Sequence, residues 1–240
     1  VRASGGPSPR RYAEQGAAVA VADLDPSRAE EAATAVRGAG RPGFALVGDM
    51  RSATDVDAVV AGAVEAMGGL DVLVTVVAGQ VAFVPAVRIH EMTDDDWDLV
   101  TDVNLRHVFR AVRAAIRVLL GQGNGRHDRQ RRLGDRLHGR TRAGRLRAAK
   151  AGLLSLARTV AAEYAGDRIR MNVVTAGAIR TVVSGAFQPD DGVDEIPLGR
   201  YGTVADVADA AVYLGSAESA YVTGQRIVVD GGVSVRGPFS

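Results

Sequence analysis

One lysine, Lys150, stands against 28 arginines in this chain of 240 residues. It lies in Arg-Ala-Ala-Lys-Ala-Gly, residues 147–152, ahead of Leu153, Leu154, Leu156 and Val160 at near-helical spacing. Asp23 and Asp49 each close a short apolar run, and a carboxylate at a strand end can accept protons from two sugar hydroxyls and repel a phosphate on that sugar. Asn104, a poor helix former, sits between Val103 and Leu105 inside a helical pattern. With no cysteine, disulfides and thiolate metal sites are excluded. Nine arginines and two aspartates fill residues 126–147, although the whole chain carries only +1, so the remainder is acidic.

The elements that must position these residues alternate between strand and helix. Residues 17–22 and 70–77 are apolar runs of buried-strand type, and 43–47, 168–175 and 226–230 read as further strands. Asp25 with Pro26 reads as an N-cap and a first-turn proline, opening a helix to about residue 37. Ser52 or Thr54 caps a helix to about Met67, and Thr203 caps one to about Leu214. Thr93 precedes Asp94, Asp95 and Asp96, an acidic first turn suited to a helix dipole, and that helix continues to about Leu120. The Lys150 helix spans 148–164.

Such alternation with short connections predicts a parallel sheet with helices on both faces. The expected fold is α/β, one Rossmann-like doubly wound domain over residues 1–240, with no internal repeat. The chain is 47% hydrophobic and 24% charged, as in ordinary soluble domains, and holds no apolar run of membrane-spanning length. A cytoplasmic location and no membrane partner are the resulting expectations.

The order and spacing of several motifs resemble the short-chain dehydrogenases/reductases over residues 12–120 and 147–233. These motifs are Asp23 and Asp49 at strand ends, Ala78-Gly79, Asp-Val-Asn-Leu around Asn104, and Lys150. The series continues with Asn172 to Thr181, Pro197 to Arg200, Tyr221 to Gln225 and Val229 to Gly232. The resemblance implies hydride transfer between NAD, rather than NADP, and a small-molecule carbonyl or alcohol. It implies cofactor contacts at Gly5, Asp23, Asp49, Met50, Ala78, Gly79, Lys150, Gly177, Ile179 and Thr181. It also implies a homotetramer, a sheet ordered 3-2-1-4-5-6-7, and a relay in which Asn104 bends its helix and holds a water.

In that family a tyrosine four residues before the lysine exchanges the substrate proton, and the lysine lowers its pKa. A serine 13 residues before the tyrosine orients the substrate oxygen. Here Leu146 stands at the tyrosine position and Leu133 at the serine position. Leucine neither donates nor accepts a proton. Lys150 and Asn104 therefore remain as half a relay.

Two stretches depart from the pattern in the same way. Read one base later, with suitable synonymous codons, residues 126–146 give VMTVNVASVTGFTGVPGLAAY, which has a strand, a serine and a tyrosine in register with Lys150. Read one base earlier, residues 2–10 give AGLGRAIAE, the end of a glycine-rich loop that lets a backbone approach a pyrophosphate. Two local frameshifts, near residues 1–11 and 124–147, are thus expected. In consequence the first strand is expected to be missing and the fifth disrupted, leaving a poorly stable and inactive chain. Two other readings remain: a cofactor-binding pseudoenzyme with a regulatory role, and an arginine-rich nucleic-acid-binding arm on an inactive scaffold. The segment has no aromatic residues for base stacking, and no nucleic-acid partner is expected.

Overall fold

A computed structural model describes residues 9–76, 87–122, 131–138, 144–180 and 190–235. In chain order the main elements are α1 (Pro9–Glu14), β1 (Val19–Asp23), α2 (Pro26–Gly38), β2 (Gly43–Val47), α3 (Ala53–Met67) and β3 (Val72–Thr75). There follow α4 (Asp94–Thr101), a π-helical segment (Asp102–Arg106), α5 (His107–Gly121), β4 (Arg131–His138) and α6 (Gly144–Tyr164). The chain continues through β5 (Ile169–Ala176), α7 (Val204–Leu214) and β6 (Arg226–Val229).

Local chemistry sets the helix starts as expected. Asp25 accepts the N–H groups of Ser27 and Arg28 and is followed by Pro26. Ser52 accepts from Asp55, Thr93 from Asp96 and Thr203 from Asp206. Each cap satisfies donors that the first helical turn leaves without an intrahelical partner.

All described strand pairs are parallel. Strands β1 and β2 form one sheet, and β3-β4-β5-β6 form another in that order. Buried on both faces, β5 explains the two-sided core: Ile169, Met171 and Val173 pack with α5 and α6, through Val112, Leu119 and Leu153. The alternate residues Val174 and Ala176 pack with Val207 and Leu214 of α7. This is the period of two that places helices on both sides of a parallel sheet. Helix α3 joins the α5 side, and α1 touches both α2 and α7.

The expected disruption of the fifth strand is corrected. Residues Arg131–His138 form β4, paired with β3 from Val72↔Arg132 to Thr75↔Asp135 and with β5 along all eight residues. Strand pairing uses backbone groups that every residue but proline carries, and the facing edges of β3 and β5 supply partners on both sides. A segment paired along its whole length with β5, and over Arg132–Asp135 with β3 as well, is not a free arm, which argues against the nucleic-acid reading for residues 131–138. No helix among the described residues is long and apolar enough to cross a membrane.

Candidate active site

The α4–α5 region is one helical run interrupted by a wider turn. At Asp102–Arg106 the pitch becomes π-helical, and the His107 N–H reaches back to the carbonyl of Asp102. π-turns inside helices occur often at functional sites. Asn104 lies at this turn, fully buried, and its Nδ2 donates to the Val100 carbonyl at 2.9 Å. The expected irregularity at Asn104 is therefore visible in the backbone.

Helix α6 packs against the π segment and against α4. Close approach is helped by Gly152, whose added Cβ would stand 2.9 Å from the side chain of Leu105. Leu146, Lys150, Leu153 and Ala157 recur at helical spacing along one buried side of α6. Lys150 is 6% exposed and Leu146 7% exposed. Leu146 packs on Val100, the residue whose carbonyl receives the Asn104 amide. Leu146 and Asn104 thus meet at Val100 of α4, while Lys150 lies buried one turn after Leu146 on α6. The position expected for the proton donor is filled by hydrocarbon.

Leu133 is not brought to the same edge. It lies inside β4, level with Leu73 and Met171, while His138 ends the strand. Ligands in doubly wound sheets sit beyond the carboxyl ends of strands, so a residue at this register stands back from that edge.

Asp23 ends β1 at its carboxyl end, the end beyond which doubly wound sheets take their ligands. Its Oδ1 accepts the Asp25 N–H at 2.9 Å and lies 3.4 Å from Arg28 Nη2, while Oδ2 takes part in neither contact. A carboxylate so placed fits adenosine ribose hydroxyls chemically. Asp49 follows β2, and its carboxylate is gripped by Arg51 through Nη2 at 2.7 Å, Nε at 3.1 Å and the backbone N–H at 2.9 Å. The Arg51 guanidinium holds the Asp49 carboxyl below its usual range, so it is an anion at neutral pH. The Asp49 N–H donates to Asp55 Oδ2 at 2.9 Å. Met50 packs its side chain against Val56, Val60, Ala111 and Ala114, so only its backbone suits an adenine contact. Arg28 and Arg51 were missed by sequence reasoning. Their signal was a basic residue soon after each strand-end aspartate.

Gly177 and Ile179 have packing duties of their own. A Cβ on Gly177 would stand 2.6 Å from Asp230 Cβ and 2.7 Å from its Cα, so glycine is required where β5 meets the end of β6. The Ile179 side chain is buried in the α7 cluster. Its parallel bridge to Gly202 uses the Ala178 carbonyl and the Arg180 N–H, which turns the backbone groups of Ile179 itself away from Gly202. Gly5, Ala78, Gly79 and Thr181 lie outside the described residues. No group of three or more His, Asp or Glu suited to a metal occurs among the described residues.

Comparison with known proteins gives a consistent result. Residues 8–234 match the family described as Enoyl-(Acyl carrier protein) reductase. The chain is 31% identical to a 3-oxoacyl-(acyl-carrier-protein) reductase of Thermotoga maritima, over 93% of this chain and 90% of that protein. It is 32% identical to the protein named inactive 2-(S)-hydroxypropyl-CoM dehydrogenase 2 of Xanthobacter autotrophicus, over 94% of this chain and 98% of that one. A short-chain type dehydrogenase/reductase from Mycobacterium marinum superposes with a TM-score of 0.85 at 26% identity, covering 98% of this chain and 93% of that one. Doubly wound topology, a buried lysine on the helix that packs against the π-turn segment, and a match running almost end to end converge: the chain belongs to the short-chain dehydrogenase/reductase family of oxidoreductases.

Proposed function

We propose that this chain carries the NAD(H) site of a carbonyl/alcohol oxidoreductase, with its proton relay broken as the sequence stands. The observation that carries the reading is Leu146, buried on Val100 one helical turn before buried Lys150. A group at that place would meet the substrate oxygen in a working relay, and leucine has no proton to give. When bound, the dinucleotide supplies or accepts the hydride. Asp23 would hold the adenosine ribose, Asp49 and the backbone of Met50 the adenine, and Lys150 the nicotinamide ribose. Gly5, Ala78, Gly79 and Gly177 would give close backbone approach, and Ile179 and Thr181 would meet the nicotinamide amide and the pyrophosphate. Asn104 would hold the relay water.

Asp23 at a strand end supports NAD over NADP, because a 2′-phosphate would face its negative charge. The departures at residues 2–10 and 126–146 are explained by two frameshifts, and the active form is the one with both frames restored. A pseudoenzyme reading is favoured by one observation, the pairing of β4 with β5 along all eight residues and with β3 over Arg132–Asp135, despite its arginines. A homotetramer is supported by partly exposed apolar residues on the helices and strand that would pair, Phe109 and Leu120 on α5 and Val228 on β6. Equilibrium titration with NADH and NADPH, read by nucleotide fluorescence, tests the binding site. The expected result is tighter NADH binding, with the preference lost in Asp23→Ala. No binding of either nucleotide, or an unchanged preference in Asp23→Ala, would overturn the proposal.

A further inference from the structure

Successive residues of a strand turn their backbone groups to opposite edges. In β1 the Val19 N–H donates to the Pro42 carbonyl, and the Asp23 carbonyl accepts the Gly48 N–H, so Val19, Val21 and Asp23 face β2. The N–H and C=O groups of Ala20 and Ala22 therefore point to the other edge. Across the second sheet, the Val173 N–H donates to the Gln225 carbonyl on the β6 side of β5. Carried through the registers of β5, β4 and β3, the same alternation turns Val72 and Val74 of β3 away from β4. Among the described residues no strand pairs with either outward edge. Ala20, Ala22, Val72 and Val74 are half-buried, whereas every residue of β5 is buried. Two helices hold the edges in one layer. Helix α3 touches β1 and β2 and packs Val56 and Val60 with Leu73 of β3. On the opposite face α1 touches β1 and α7, and α7 lies on β4, β5 and β6.

We infer that the outward edges of β1 and β3 form a slot that takes one extended apolar segment from another chain, as a strand paired on both sides. Backbone donors and acceptors held between two helices gain most from an extended backbone, which repeats at their own spacing. With α3 and α1 on the two faces, side chains of the occupant meet helices in both directions and are therefore apolar throughout. β1 has five residues and β3 four, which sets the length of the paired segment. Each strand is joined to the next through a helix, so the occupant runs parallel to its neighbours. Residues 1–8 contain Gly5, Gly6 and Pro7 and no apolar run, so their sequence does not meet these requirements.

The test uses the full chain and a fluorescein-labelled peptide, Arg-Arg-Ser-Val-Ala-Val-Val-Thr-Gly, followed by fluorescence anisotropy. A control peptide carries proline in place of its alanine and of its last valine, which removes the N–H groups that face one side. Saturable binding is expected, at least about tenfold tighter than that of the control. Binding slows backbone hydrogen exchange within residues 19–23 and 72–75, and the unfolding midpoint rises with peptide concentration. Ala22→Pro removes one N–H of the open edge and leaves the ladder to β2 in place, so it weakens binding by about tenfold. If Ala22→Pro does not fold, the two peptides and the exchange pattern decide on the parent chain alone. Absence of saturable binding, equal binding of both peptides, or protection that leaves residues 19–23 and 72–75 unchanged would overturn the inference.

Discussion

Replacing Asn104 tests the geometry of the site by a route that needs no turnover. Its amide is fully buried and donates to the Val100 carbonyl at 2.9 Å. Asn104→Ala removes that bond and leaves a small void, costing about 1–3 kcal/mol. Asn104→Asp is more informative because the shapes match. At neutral pH it would set a carboxylate against a carbonyl oxygen, and only the protonated acid can still donate. The pKa of the new acid in the folded chain is therefore raised above the ordinary aspartate value of about 3.9. A raised acid contributes most below its unfolded pKa, and the contribution is lost as pH rises toward the folded pKa. The expected slope is about 1.4 kcal/mol per pH unit across that window. By pH 7 the loss reaches about 3–4 kcal/mol, a large part of a net stability of roughly 5–15 kcal/mol. Denaturant unfolding of the parent, Asn104→Ala and Asn104→Asp at pH values from about 4 to 7.5 measures it. A stability difference between Asn104→Asp and the parent that stays flat with pH would refute the buried-donor geometry.

Three further outcomes follow from other contacts. Gly177→Ala places a Cβ against the backbone and side chain of Asp230, so it should destabilise by about 1–3 kcal/mol in a denaturant titration. The Tyr12 hydroxyl is buried without a hydrogen-bond partner among the described residues, and burial pushes its phenol well above the usual range. Tyr12→Phe should thus match or exceed the parent at neutral pH, and lose less stability than the parent above about pH 10, where unfolding frees the Tyr12 phenol to ionise. Arg200 and the Thr203 cap hold the Asp206 carboxyl well below the ordinary 3.8. Its contribution is present above about pH 4 and falls progressively below that, so Asp206→Asn should lower the unfolding midpoint at pH 7, by an amount that shrinks steadily as pH is taken below about 4.

Much of this architecture is legible from local chemistry. Asp25, Ser52, Thr93 and Thr203 mark their helices because a short side-chain oxygen facing a first-turn N–H is a local event. β5 was legible from Ile169, Met171, Val173 and Val174, although burial on both faces also takes in Arg170 and Asn172. β4 was not, because its arginines hide a pairing made entirely by backbone groups, whose partners lie far away in sequence. Asn104 stood out as a misfit in a helix, and the π turn gives that misfit a geometry. Arg28 and Arg51 escaped notice because sequence nearness does not tell which way a long side chain turns. Gly177 was read toward a cofactor, whereas Asp230 by itself requires it, a contact that only folding reveals.

The central claim is that Leu146 occupies the place of a lost proton donor. NADH oxidation with a panel of small ketones, measured side by side for the chain as it stands and for the chain with both reading frames restored, tests it most directly. Positioned acid–base catalysis contributes on the order of 10²–10⁴ in rate. The restored chain, with tyrosine at position 146 and serine at position 133, should therefore turn over at least about a hundredfold faster on some member of the panel. Comparable turnover by the two chains, with cooperative unfolding of the unrestored one, would contradict both the frameshift account and the role assigned to position 146.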